Sequence, residues 1–380
     1  LDHLLFLAMT KPLVQLLEQQ TFTDEEAARL LSLTAPDECR QLQERAYALT
    51  TELLGENVYL RGLIEISNIC TANCRYCGIR KNNHAVERYT LSEETILACA
   101  ELAARSGYGS IAIQAGERRD PKWIEWIADL LKKIHARTVN DALPSGLGIT
   151  LSLGEQTYDV YRYWAEASGN PNGLRYLLRI ESSNPTLFRS LHCTPGKNEK
   201  VLEHRYRALE DLRRAGYQVG TGVMIGLPGQ TIEDLVADIR TFERIDADMI
   251  GMGPYITSNG ADMVSEGMLP KAQLMQLSLN MIAVTRLMMR NVNIAAATAL
   301  ETLEPNGRIK GILHGCNVIM PNITPQQTRS SYQLYDNKAG CEVGAESNVL
   351  VENNIVEIAH RRLGLNQLGS SLRWHTRTGT

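Results

Sequence analysis

Leu63-Ile64-Glu65-Ile66-Ser67-Asn68-Ile69-Cys70-Thr71-Ala72-Asn73-Cys74-Arg75-Tyr76-Cys77-Gly78 holds a strand and a metal-binding pattern in one stretch. Residues 63–67 alternate apolar Ile64 and Ile66 with Glu65, the period of a β-strand. The loop that follows sets Cys70, Cys74 and Cys77 in the spacing C-x3-C-x2-C. A cysteine loop at the C-terminal end of a first strand sits where a (β/α) barrel keeps its catalytic groups. Iron–sulfur cubanes usually take four thiolates, and structural zinc sites fill four positions from two separated pairs. One compact triplet with no second pair implies a cluster with one iron left open for chemistry. A zinc knuckle and three unrelated core cysteines are the alternatives.

Downstream, strand-like runs at 110–114, 148–153, 175–181, 218–224, 249–252, 292–298 and 317–320 alternate with helices. The helices open at Ser92, at Asp120-Pro121 and at Thr231, or span 200–215 and 271–289. Together with 63–67 this pattern predicts a complete parallel (β/α)8 TIM-type barrel over 58–330. A doubly wound open sheet is the alternative, because periodicity does not reveal closure. Residues 1–57 read as an N-terminal helical extension, with a capping box at Thr23-Asp24-Glu25-Glu26 and an amphipathic helix over 37–54 stopped by Gly55. Residues 331–380 read as a helical C-terminal segment packing on the barrel, its basic tail from Arg361 solvated or frayed. The apolar start at 4–9 reads as a helix too short to span a bilayer and without a basic leader, and the absent initiator Met points to processing or to an artificial chain start.

A chain of 380 residues, 44% of them hydrophobic, exceeds the usual single-domain size unless the domain is a barrel. Its net charge of −4, with both signs interspersed, gives no footprint for nucleic acid. Beyond the triplet, Cys39, Cys99, Cys193, Cys316 and Cys341 are too scattered for a disulfide framework, which implies a reducing cytoplasm; no membrane partner is expected, the apolar start being too short to span a bilayer.

The run Arg175-Tyr176-Leu177-Leu178-Arg179-Ile180-Glu181 puts Arg175, Leu177, Arg179 and Glu181 on one face of a strand. The outer face of a barrel strand must be apolar to meet the helices, so the charged face points inward. Thr150, Ser152, Gln114 and Glu65 face inward by the same alternation. Buried charges are costly unless paired or serving a ligand. An Arg179–Glu181 ion pair would be purely structural, but this many inward polar groups imply a wet ligand cavity. Glycine-bearing turns end two of the strands, at Gln114-Ala115-Gly116-Glu117 and at 224–231.

The run from Cys70 to Gly78 resembles the signature of radical S-adenosylmethionine (SAM) enzymes. The resemblance implies that Cys70, Cys74 and Cys77 hold a 4Fe-4S cluster whose fourth iron is chelated by the amine and carboxylate of SAM. Reduction would then yield methionine and a 5′-deoxyadenosyl radical. It also places Tyr76 near the adenine, the Ala115-Gly116-Glu117 backbone on the methionyl amine, and the turn starting at Met224 on the adenosyl group.

From about Glu65 to Tyr335 the chain further resembles the HydE family, maturases of FeFe-hydrogenase related to biotin synthase and methylornithine synthase. The shared motifs are Tyr176-Leu177-Leu178-Arg179 with Glu181, Asn184-Pro185, Thr150-Leu151-Ser152-Leu153-Gly154-Glu155, Met224-Ile225-Gly226-Leu227-Pro228-Gly229-Gln230-Thr231, Asn317-Val318-Ile319-Met320-Pro321-Asn322 and Tyr332-Gln333-Leu334-Tyr335. This implies that Ser152 and Glu181 contact SAM and that Arg205 holds its carboxylate. It implies that Gln114, Thr150, Arg175, Arg179, Thr298 and Tyr332 line the substrate cavity. The implied substrate is a cysteine-bound iron carbonyl cyanide in the assembly of the H-cluster. The implied partners are HydG-like and HydF-like maturases and a low-potential electron donor. A radical SAM amino-acid mutase of the methylornithine synthase type and a non-catalytic cluster-delivery scaffold are the alternatives. Two departures stand out. Residues 192–204 differ in length from the family pattern, and the peripheral second cluster of some members would need cysteines where Val349 and Glu352 stand, so only Cys341 remains and no second cluster is expected.

Overall fold

The computed structural model describes residues 11–192, 201–263, 267–340 and 346–379; the apolar start at 4–9, Cys193 and Cys341 lie outside them. Strand β1 (Asn57–Ser67) begins well ahead of the predicted residue 63 and is the hinge of the architecture. It pairs in parallel with β2 (Ser110–Ala115), and the order continues through β3 (Gly148–Ser152), β4 (Leu174–Leu177), β5 (Gln218–Thr221), β6 (Met249–Pro254), β7 (Asn293–Ala296) and β8 (Val318–Ile319). The pairings Tyr59 with Val318 and Leu60 with Ile319 bring β8 back to β1 and close the ring. Eight parallel strands thus form a closed TIM-type barrel, which removes the open-sheet alternative.

The outward residues of these strands are aliphatic or aromatic and buried, among them Ile64, Ile66, Ile111, Ile113, Tyr176 and Ile250. They meet a ring of helices whose apolar stripes recur at helical spacing. Ahead of the barrel come α1 (Leu13–Leu17), α2 (Asp24–Leu31) and α3 (Pro36–Leu54). Around it run α4 (Glu93–Arg105), α5 (Pro121–Thr138), α6 (Tyr158–Ala167), α7 (Pro185–His192), α8 (Leu202–Arg214), α9 (Ile232–Ile245) and α10 (Lys271–Met289). The short α11 (Thr298–Leu303), α12 (Gly307–Leu313) and α13 (Gln326–Arg329) lead to α14 (Glu346–Glu357). The predicted capping box opens α2, with Glu26 N donating to Thr23 Oγ1 at 3.2 Å and Thr23 N to Glu26 Oε2 at 2.9 Å. Helix α10 is buried on nearly every face because the N-terminal helices cover it; Asn280 Nδ2 donates to the carbonyls of Leu31 and Leu33 at 3.0 and 2.9 Å.

Two expectations are corrected. The strand predicted over 175–181 ends at Leu177, and Glu181 lies in the left-handed region with φ 63°, so alternation does not carry through to Arg179 and Glu181. The tail from Arg361 is not frayed. Strand β9 (Arg362–Gly364) pairs with the start of β1, residues 368–371 then cross the N-terminal mouth of the barrel, and α15 (Leu372–Thr378) docks beyond it. Inward side chains from five strands hold the crossing backbone. Arg61 Nη2 and Asn293 Nδ2 donate to Gly369 O at 3.1 and 3.0 Å, Ser110 Oγ and Arg175 Nη2 to Leu368 O at 2.8 and 2.5 Å, and Gln218 Oε1 accepts from Ser371 N at 3.0 Å. The basic residues of the tail answer acidic ones after α9: Arg373 meets Asp246 at 2.6 Å and Arg377 meets Asp248 at 2.7 Å.

Candidate active site

A cavity of about 320 Å³ opens at the C-terminal ends of the strands, the size of a small-ligand pocket. The loop after β1 lines it with Cys70, Cys74, Tyr76 and Cys77, and the turn after β2 with Gln114, Ala115, Gly116 and Glu117. Ser152 at the end of β3, Arg179 and Glu181 beyond β4, Arg205 of α8, Met224, Thr298 at the start of α11, and Tyr332 complete the set. Thr150 and Arg175 are corrected: neither lines the cavity. Thr150 is buried with its hydroxyl unbonded, and Arg175 serves the opposite mouth. Strand alternation gives the face of a residue but not its depth along the barrel axis.

The cysteine loop is positioned by backbone contacts. A Cβ on Gly116 would collide with the carbonyl oxygen of Ile69 and come within 2.7 Å of Cys70 Cβ, so only glycine lets the β2 turn meet the loop. Thr71 N donates to Glu117 O at 2.9 Å, and Gly78 N donates to Leu334 O at 2.8 Å. Arg88, which sequence reasoning missed, donates to the carbonyls of Asn68, Ile79, Arg80 and Asn83 at 2.6 to 3.0 Å and ties both ends of the loop together. An arginine that serves only carbonyls leaves no pattern in sequence.

Burial raises the thiol pKa of Cys70; at Cys77, burial and then the charges of Cys74 and Cys70 raise it further. Cys70 and Cys77 are poor thiolates by themselves, and a bound cationic centre reverses that balance. Among the described residues no three His, Cys, Asp or Glu side chains stand close enough to hold one metal ion. Thiolates of a cubane each take a different iron, and all three cysteines border the one cavity. The donor set fits three-cysteine ligation of an iron–sulfur cluster facing the cavity.

Beside the cysteines, the Tyr76 hydroxyl donates to Glu181 Oε1 at 3.4 Å, and burial pushes its phenol up. Glu181 also pairs with Arg179 at 2.8 Å, and His192 meets the Tyr76 ring edge-on at 5.7 Å. Arg205, 5% exposed, donates to Glu155 Oε2 at 3.1 Å and to the Arg179 carbonyl, while Glu155 N donates to Glu117 Oε2 at 2.9 Å. The unusual length of 192–204 therefore leaves Arg205 at the cavity.

The opposite wall holds the second omission. Lys338 forms a buried ion pair with Glu65, donates to Tyr332 O at 3.1 Å and stands 5.1 Å from the Tyr332 ring centre. Asn322 Nδ2 donates to the other oxygen of Glu65 at 3.1 Å. The signal that could have found Lys338 is the inward charge of Glu65, which a cation has to meet.

Residues 64–242 match the model of the radical SAM superfamily. The chain is 37% identical over 329 residues to the [FeFe] hydrogenase maturase subunit HydE of Thermotoga maritima, covering 86% of this chain and 88% of the relative. It is 24% identical over 323 residues to 3-methylornithine synthase of Methanosarcina barkeri, covering 85% of each. Among solved structures, methylornithine synthase (PylB) superposes with a TM-score of 0.75 at 22% identity over 93% of this chain and 97% of that one. The [FeFe]-hydrogenase maturase HydG superposes with a TM-score of 0.65 at 21% identity over 81% of this chain and 67% of that one.

Proposed function

This chain belongs to the HydE family of radical SAM enzymes, and on that premise we propose that it matures FeFe-hydrogenase by activating an iron-cysteinate carbonyl/cyanide precursor. The observation that carries the reading is the three-cysteine loop set on the rim of a barrel cavity whose walls carry the charged pairs Arg179–Glu181 and Lys338–Glu65. Cys70, Cys74 and Cys77 would hold a 4Fe-4S cluster with SAM on its open iron. Together the cluster and SAM supply a 5′-deoxyadenosyl radical on one-electron reduction.

The chain's own residues bind, orient and exclude water. Backbone at Ala115, Gly116 and Glu117 receives the methionyl amine, and Arg205 holds the carboxylate by a charge-assisted bond. Ser152 and Glu181 take polar groups of SAM, and Tyr76 and Met224 flank its adenosyl part. Across the cavity Gln114, Arg179, Thr298, Tyr332 and Lys338 face the substrate, and the cations suit its anionic cyanide and carboxylate groups. HydG-like and HydF-like maturases and a low-potential donor are the proposed partners, in the cytoplasm. Among the described residues no helix is long and apolar enough to cross a membrane.

Maturation assays on apo-hydrogenase with the other maturases test this: omission of the protein, or its Cys74→Ser variant, should abolish hydrogenase activity. Full activation without it would overturn the reading. A second reading, an amino-acid mutase, draws on the ion pairs Arg179–Glu181 and Lys338–Glu65 on facing walls, which could separate to take the two charges of a zwitterion. Incubation with lysine, SAM and reductant separates the two, since a rearranged amino acid would appear only for the mutase.

A further inference from the structure

Glu181 takes a left-handed backbone, φ 63°, that a residue with a side chain adopts at a cost of about 1–3 kcal/mol and keeps only where its surroundings dictate it. On one side the constraint is a strand-like pairing: Glu181 N donates to Gly222 O and Met224 N to Glu181 O, both at 3.0 Å. On the other side helix α9 grips the turn that follows. Asp238 Oδ1 accepts from Ser183 N at 2.6 Å, and Asp234 Oδ1 accepts from Asn184 Nδ2 at 2.8 Å. The two carboxylates lie four residues apart, on one face of the helix. Asp234 also closes the helix start, its Oδ2 accepting from Thr231 N at 2.9 Å. The turn at Glu181 and the turn from Met224 to Thr231 are thereby fixed to each other.

We propose that Asp238 is a positioning residue for the SAM side of the cavity, acting through the Ser183 amide on the turn that presents Glu181. The proposal rests on the reading of Glu181 as a SAM contact. Asp238 is fully buried, and the charged groups acting on it, Asp234 and Glu181, are both acidic. A buried carboxylate among like charges weakens a fold, so packing does not account for it, whereas a short bond to a turn that must be held does. The leverage reaches further than Glu181. Helix α7 starts directly after the turn, and its Phe188 lies 5.9 Å under the Arg205 guanidinium while its His192 abuts Tyr76. A shift at Ser183 therefore moves groups on two sides of the same ligand.

SAM dissociation constants of cluster-loaded protein test this, measured with iron content and the visible absorption of the cluster. Asp238→Ala should weaken SAM binding tenfold or more with iron content unchanged, and Asp238→Asn, which keeps an acceptor for Ser183 N, should stay within threefold. Equal SAM affinity in wild type and Asp238→Ala overturns the proposal, even if the variant melts earlier, because a merely structural role moves only the melting point. An Asp238→Asn variant as weak as the alanine variant overturns it too. Hydrogen exchange on the wild type needs no variant: segment 181–185 should exchange more slowly once SAM is added, and unchanged exchange there overturns the proposal. Wild-type protein that binds no SAM at all overturns the radical SAM reading beneath it.

Discussion

At the rim of the cavity, a single hydrogen atom in place of a methyl decides how the β2 turn meets the cysteine loop. Gly116→Ala must push Ile69 and Cys70 aside, at roughly 1–3 kcal/mol for overpacking. Iron bound per chain should fall well below that of the wild type while far-UV circular dichroism stays unchanged. Asp238 gives a second prediction. Burial raises its carboxyl from 3.8 to about 7, so between those values the folded chain keeps a proton that the unfolded chain has released. Its contribution to stability is therefore present at acid pH and lost as pH rises through about 7. Asp238→Asn removes the titration, and its melting temperature relative to wild type should rise from about pH 5 to about pH 8. What was legible at this scale follows separation in sequence. Cys70, Cys74 and Cys77 announce themselves by spacing, whereas Lys338 meets Glu65 across 273 positions and is written nowhere near its partner. Arg175 shows the other gap, since its inward face could be read but not which mouth of the barrel it serves.

Among the elements, those with local signals are legible in the sequence and those set by distant partners are not. Thr23 and Glu26 cap α2 as their spacing implies, and Thr23→Ala should cost about 1 kcal/mol in urea unfolding. The expected strand over 175–181 runs past β4 because Leu178 to Glu181 keep strand-like composition, while the turn bonded to Asp238 and Asp234 pulls them out of alternation. The crossing segment 368–371 was invisible for the same reason. Its own sequence, Leu-Gly-Ser-Ser, is that of a loop, and its role lies in the inward polar side chains of strands far upstream. Removing residues 368–380 should destabilise the fold by roughly 3–5 kcal/mol, because Arg61 and Arg175 lose carbonyl acceptors while still buried. Adding Arg61→Met and Arg175→Met to the shortened chain should recover part of that loss, a comparison made by denaturant unfolding.

The molecule as a whole separates its scaffold from its chemistry. Closure between β1 and β8 and the aliphatic layer outside the strands make the barrel self-supporting, and the cysteine loop hangs on one rim of it. Chelation of the iron should accordingly leave the far-UV circular dichroism intact while abolishing SAM binding, measured on the same sample before and after treatment. Alternating strands and helices made the barrel readable, and closure was the step that periodicity could not supply. The opposite rim carries a consequence for biosynthesis. A ribosome delivers residues 368–371 after every barrel strand, and domains fold progressively as chains are made. The nascent barrel is therefore an unsealed tube with two arginines facing an open end until residues 368–371 arrive. A lesion at residues 368–371 would reach the inside of the barrel as surely as one in its first strand.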